Sequence, residues 1–137
     1  MRGVIGISLA LLAVILPLTS TAQERGPAGP PPSVLREIVQ GMPRGEKQEV
    51  RVLVATVKPG EATPFHTHRF PVTVYVLQGT FTLEMEGRAP VTAKAGQAIV
   101  EPPQVKMTGY NRGTEPMQVV IFYVSDPDTP FLDLAHH

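Results

Sequence analysis

The residues best suited to chemistry are two histidines, His66 and His68, inside the stretch Gly60 to Gly79, GEATPFHTHRFPVTVYVLQG. Side chains alternate along a strand, so positions i and i+2 point to the same face. Two imidazoles presented to one small volume are a good start for a transition-metal site. The competing reading is a pair of ordinary polar residues on a strand. Arg69 and Phe70 follow directly and are expected at the mouth of any such site. Next comes VTVYVLQG, a β-branched and aromatic run closed by glycine, which reads as a strand. Tyr75 is out of phase with the histidine face and is expected in packing or at an interface.

The elements that must position these residues also read as strands. Glu49 to Lys58 (EVRVLVATVK) is one, stopped by Pro59-Gly60. Thr80 to Glu86 (TFTLEME) alternates, with Phe81, Leu83 and Met85 on one face. Val91 to Lys94, Gln97 to Glu101 and Val105 to Tyr110 are shorter strands between turn signals. Met117 to Val124 (MQVVIFYV) is the most apolar and is expected to be deeply buried. Val34 to Gln40 fits a short helix or a strand. Its length and its end at Gly41-Met42-Pro43 favour the strand. Eight or nine short strands without a long helix predict an all-β sandwich or barrel. Such a domain hides its sheet edges by closing or by pairing with another subunit.

A chain of 137 residues holds one domain. Arg2, the apolar run Val4 to Leu16, and the small residues up to Ala22 predict a secretory leader over residues 1–22. The run is short for a membrane span. The expected mature protein starts at Gln23, is secreted or periplasmic, and keeps no membrane anchor. Residues 23–33 read as a flexible Pro/Gly-rich arm, 34–124 as the folded domain and 125–137 as a tail. His136 and His137, the other two histidines, read as a disordered chain end. Export permits disulfides, but the chain has no cysteine, so its core alone must hold it. Basic and acidic residues balance at twelve each, and no basic patch appears. Neither nucleic acid nor an anionic membrane is expected as a partner.

Gly60, His66, His68 and Gly79, followed by Gly96, Pro102 and Asn111, fall in register with the two motifs of the cupin superfamily. The chain resembles that family from about Val34 to Val124. The resemblance implies a double-stranded β-helix, a jelly-roll barrel, with a metal ion held by three histidines and a glutamate. Here the glutamate position falls on Val72, the third histidine on Met107 and the second-motif glycine on Gln104. On this reading His66 and His68 hold the ion, with Met107 as a third or weak axial ligand. Soft sulfur beside imidazole favours copper. Met107 reads equally well as a filler of the barrel. Gln104 is either a neutral turn residue or an oxygen donor to the ion or to bound peroxide. Glu101 is an acid or base beside the ion, or a charge on the rim. Tyr110 is a redox or substrate contact.

Within the superfamily the chain looks like the secreted copper cupins that cleave cellulose oxidatively. The likeness is carried by the leader, the size, the H-x-H without its carboxylate, and FHTHRFPVTVYVLQG followed by EPPQVKMTGYN. It implies one copper ion per subunit, with peroxide or oxygen plus a reductant as co-substrate. The substrate would be cellulose or another glucan, giving aldonic acids, and the unit a homodimer. Glu101 and Tyr110 would be catalytic, with Arg69, Phe70 and Gln104 toward the substrate. No Trp and only three Tyr are present to stack on sugar rings. Two other readings stand beside this one. One is a different cupin oxygenase acting on a small molecule with iron, manganese or zinc. The other is a non-enzymatic copper- or ligand-binding module. Met42, Met85 and Met117 sit in apolar patterns and are expected in the core rather than around copper.

Overall fold

Alternation of β-branched and polar residues builds nine strands among the described residues: β1 (Glu49–Val57), β2 (His66–Thr67), β3 (Val72–Gln78), β4 (Thr80–Met85), β5 (Val91–Lys94), β6 (Ala98–Glu101), β7 (Met107–Tyr110), β8 (Met117–Ser125) and β9 (Asp133–Leu134). The structure is a computed structural model and describes Gly3 and residues 28–137. The leader expected over 1–22, Gly3 apart, and residues 23–27 of the arm lie outside the described residues.

The strands form two antiparallel sheets, ordered β1-β8-β3-β6 and β5-β4-β7-β2-β9. This is the all-β, double-stranded β-helix architecture that the sequence predicts. β1 and β8 are in register along their whole length, from Glu49 opposite Ser125 to Val57 opposite Met117. The inward residues of both sheets make one core: Val72, Val74 and Val76 of β3, Phe81 and Leu83 of β4, and Met117, Val119 and Tyr123 of β8. Burying a side chain such as Leu83 stabilises the fold by about 1.5–3 kcal/mol.

Two glycines are dictated by geometry. Gly79 turns β3 into β4 with φ of +76°, and a Cβ there would lie 3.0 Å from the Pro116 carbonyl oxygen. Gly109, in β7, lies under the Phe81 ring, which leaves no room for a Cβ.

The structure departs from the sequence reading in four places. Residues 34–40 form neither a strand nor a helix. Leu35 and Val39 border a groove with Thr73, Phe122 and Val124 on the outer face of the first sheet. A segment lying over a face cannot pair with an edge. β8 is also less buried than its composition suggests, because its side chains alternate and Phe122 is on the outer face. Of the three methionines expected in the core, Met117 is buried and Met85 packs against the core, but Met42 is exposed.

The fourth departure is the tail, which folds back as a strap. Arg51 donates to the Thr129 carbonyl at 2.6 Å and to Ser125 Oγ at 3.1 Å. β9 then pairs with β2, Asp133 opposite Thr67 and Leu134 opposite His66. The Arg69 guanidinium grips both carboxylate oxygens of Asp133, at 2.9 and 3.0 Å. His137 stacks on Phe65, and Lys106 donates to the His136 carbonyl at 3.1 Å. The disordered end expected for these two histidines gives way to these contacts. Pro127 and Pro130 turn the chain rather than releasing it.

Candidate metal centre

β2 is only two residues long, yet it fixes the site. His66 is held between Met107 of β7 and Leu134 of β9, and the alternation carries His68 to the same side. Both rings are buried, 4.7 Å apart and nearly perpendicular. Each Nδ1 lies 2.6 Å from a backbone carbonyl oxygen, that of Pro64 for His66 and that of Phe131 for His68. A carbonyl only accepts, so both Nδ1 atoms carry the proton and donate it. The free lone pairs are therefore on Nε2, and the two Nε2 atoms are 3.1 Å apart.

The third group is Glu101, at the end of β6 in the opposite sheet. It is buried, and its Oε2 lies 3.1 Å from His68 Nε2. Donor atoms of His66, His68 and Glu101 all lie within 4.8 Å of one another. With each Nδ1 turned outward to a carbonyl, the two Nε2 atoms and a carboxylate converge on one small volume. Such a trio suits a shared cation. Donors about 2.1 Å from a metal and about 90–100° apart stand roughly 3.0–3.2 Å from each other, which the two 3.1 Å spacings from His68 Nε2 meet. The residues present therefore fit a metal ion. The carbonyls of Pro64 and Phe131 act as the outer partners that orient ligating imidazoles.

Burial is the largest influence on His66 and lowers its pKa below the ordinary value. The hydrogen bond to Pro64 opposes this, the nearby His68 adds to it, and Glu101 opposes it. The ring therefore stays neutral, the form that binds metal.

The other residues singled out from the sequence fall as follows. Met107 is directly opposite His66 and wholly buried, so it shares the inner face, but it belongs to the hydrophobic core and not to the cavity wall beside the imidazoles. A donor shown beside His68 Nε2 is the Glu101 carboxylate, at 3.1 Å. Glu101 sits in the interior rather than on the rim. Tyr110 alternates away from buried Met107 and Gly109, and the Arg112 guanidinium lies over its ring at 4.3 Å. Arg69 is exposed and tied to Asp133, so it anchors the strap. Phe70 packs against the core, 6.5 Å from Tyr123. Gln104 is exposed, with φ of +61°; its backbone N–H donates to the His68 carbonyl at 2.8 Å. Neither Arg69, Phe70, Gln104 nor Tyr110 lines the cavity.

That cavity, about 150 Å3, opens from the imidazoles into the barrel. Phe131 and Leu132 of the strap line it, a contribution absent from the sequence reading. The one available signal was the apolar Phe131-Leu132 pair in a tail otherwise rich in proline.

The family profile described as Cupin domain matches residues 53–123, and the chain belongs to that family. No curated protein sequence matches it. Among solved structures it is similar to a double-stranded β-helix protein from Klebsiella pneumoniae, with 23% identity over 76% of this chain and 92% of that one, and a TM-score of 0.56. It is similar to the DMSP lyase DddQ from Ruegeria pomeroyi, with 18% identity over 73% of this chain and 59% of the other, TM-score 0.56. A cupin-like protein from Thermotoga maritima matches at 20% identity over 63% of this chain and 64% of its own, TM-score 0.53. The chain thus spans less than two thirds of the latter two. At these identities the likeness is one of fold.

Proposed function

We propose that this protein is a mononuclear metal-dependent cupin oxidoreductase, its ion held by His66, His68 and Glu101. The observation that carries the reading is the convergence of two Nε2 lone pairs and a buried carboxylate, each ring oriented by a backbone carbonyl. Two histidines and one carboxylate with positions left open suit iron(II) and oxygen chemistry. A redox-active ion there would supply activation of oxygen or peroxide. The chain's own part is to keep His66 neutral, to orient both rings through their Nδ1 hydrogen bonds, and to hold substrate away from water in the adjoining cavity. Glu101 brings a negative charge that offsets the charge of the ion. Enzymes of other chemistry, DMSP lyases among them, share the fold, so the reaction type is part of the proposal.

Copper-dependent cleavage of cellulose is the second reading. It is supported by the histidine-bearing stretch Phe65 to Gly79 and by Glu101 to Asn111. The homodimer belongs with it. Val50, Val52 and Val54 of β1 and Phe122 of β8 are exposed on the first sheet, an apolar face that supports pairing with a second copy.

The test is to strip the protein with chelator and titrate it with iron(II), copper(II) and zinc(II) by calorimetry. Oxygen consumption is then measured with each ion. One ion per chain and redox turnover with iron support the first reading. Turnover with copper and ascorbate on cellulose, giving aldonic acids and lost in His66→Ala, supports the second. No stoichiometric metal uptake overturns both.

A further inference from the structure

We propose that the cavity beside His66, His68 and Glu101 takes a small, uncharged, largely apolar molecule about the size of one benzene ring, bearing a single hydroxyl or carbonyl group, and that Ala55 sets the upper size limit. The place of that oxygen rests on the metal reading above; the size and apolar character do not.

Volume is the first argument. A dry, hydrocarbon-lined cavity of about 150 Å3 accommodates benzene, and this cavity measures about 150 Å3. The second is the distribution of polarity. Ala55 and Val57 of β1, Phe81 of β4, Val119 and Ile121 of β8, and Phe131 of the strap give apolar walls. The polar groups gather at one end, in His66, His68 and Glu101. Thr63 also borders the cavity, but its hydroxyl is already engaged. It accepts from the Gly109 N–H at 2.9 Å and donates to the Pro64 carbonyl at 3.2 Å.

A ligand matched to these walls carries its polarity at one end. A sugar ring carries hydroxyls around its edge, and each one buried without a partner costs about 1–3 kcal/mol. A glucan end therefore does not suit the interior. Among the described residues, the cavity walls carry no lysine or arginine, so away from the ion an anionic ligand finds no cationic partner there. Alcohols, phenols, aldehydes and ketones remain.

Ala55 has the smallest side chain on the wall. It lies on the inward face of edge strand β1, opposite Val119. Its neighbours along that face, Leu53 and Val57, are larger. A bigger residue at 55 projects into the cavity and reduces its free volume.

The experiment uses the full chain, stripped with chelator and separately loaded with zinc. Phenol, benzyl alcohol, cyclohexanone, 2-naphthol, glucose and cellobiose are titrated by calorimetry. The first three are expected to bind saturably and the last three not. Ala55→Leu is expected to weaken phenol binding by about tenfold or more while zinc affinity stays the same. The size series on the unaltered protein stands even where the variant fails to fold. No saturable binding of the three small probes overturns the proposal, as does glucose or cellobiose binding in their place. Unchanged phenol affinity in folded Ala55→Leu overturns the role of Ala55. Phenol binding without zinc uptake sinks the metal reading alone, and zinc uptake without phenol binding sinks this proposal alone.

Discussion

Val72 and Glu101 face each other across β3 and β6 as direct partners in the antiparallel register, both with buried side chains. Val72 is where the family motif places its glutamate. The carboxylate missing there is delivered from the adjacent strand, because cross-strand partners share a face with their Cβ atoms about 4.5–5.5 Å apart. Glu101→Val is expected to weaken metal binding at least tenfold, judged from what ligand-set changes cost. Adding Val72→Glu to that variant is expected to recover part of the loss. Calorimetric titration of both with zinc checks this, and no recovery in a folded double variant means the two positions are not equivalent.

The strap should matter to the ion although it donates no ligand. Phe131 accepts the Nδ1 proton of His68 through its backbone carbonyl, so side-chain substitution leaves that bond available and deletion does not. Removing residues 130–137 is expected to lower metal affinity about 10–100-fold, the usual cost of losing an outer partner. Phe131→Leu is expected to keep most of it. Equal affinities for the deletion and the full chain would remove the strap from the site.

Stability of the metal-free protein should depend on pH through His66. Burial holds this ring below its ordinary 6.5. The unfolded chain therefore takes up the proton at a higher pH than the folded chain. The contribution is complete above pH 6.5 and is lost as pH falls below it, levelling off once the folded ring protonates. Asp133, kept below its ordinary 3.8 chiefly by the Arg69 hydrogen bond, acts in a separate and more acidic window. Urea unfolding in chelator, at about pH 7.5 and about pH 5.5, checks the first window. His66→Gln should flatten the difference.

Two backbone substitutions are expected to move stability in opposite directions. Gly109→Ala drives a methyl into the Phe81 ring and should destabilise by about 1–3 kcal/mol, the range for overpacked cores. Gln104 holds a left-handed φ of +61° with an exposed side chain. Gln104→Gly relieves a conformation that costs other residues about 1–2 kcal/mol, offset in part by glycine's greater freedom when unfolded. A small net rise in the urea midpoint is expected.

The barrel was legible because its signals are local. The alternation of Thr80 to Met85, the turn at Gly79 and the β-branched run of β3 each specify their own element. The histidine pair was legible for the same reason, since i and i+2 share a face wherever the strand lies. Glu101 was noticed as a nearby carboxylate, but its place came from register. Pairing Val72 with Glu101 depends on how two strands distant in sequence align, which neither stretch encodes alone. Met107 shows the converse. It stands opposite His66, and sequence spacing cannot tell whether such a side chain turns to the site or to the core. The strap was missed because its anchors, Arg51 to Thr129 and Arg69 to Asp133, join residues far apart in the chain.

The two Nε2 atoms 3.1 Å apart have a practical consequence at the bench. Imidazoles so arranged are a scavenger, and the natural order of divalent affinities places nickel and copper above iron. Protein eluted from a nickel resin or grown in copper-rich medium should carry those ions whatever the cell would have supplied. Its colour and metal content on isolation then report the preparation, and only chelator stripping followed by reloading reports the protein.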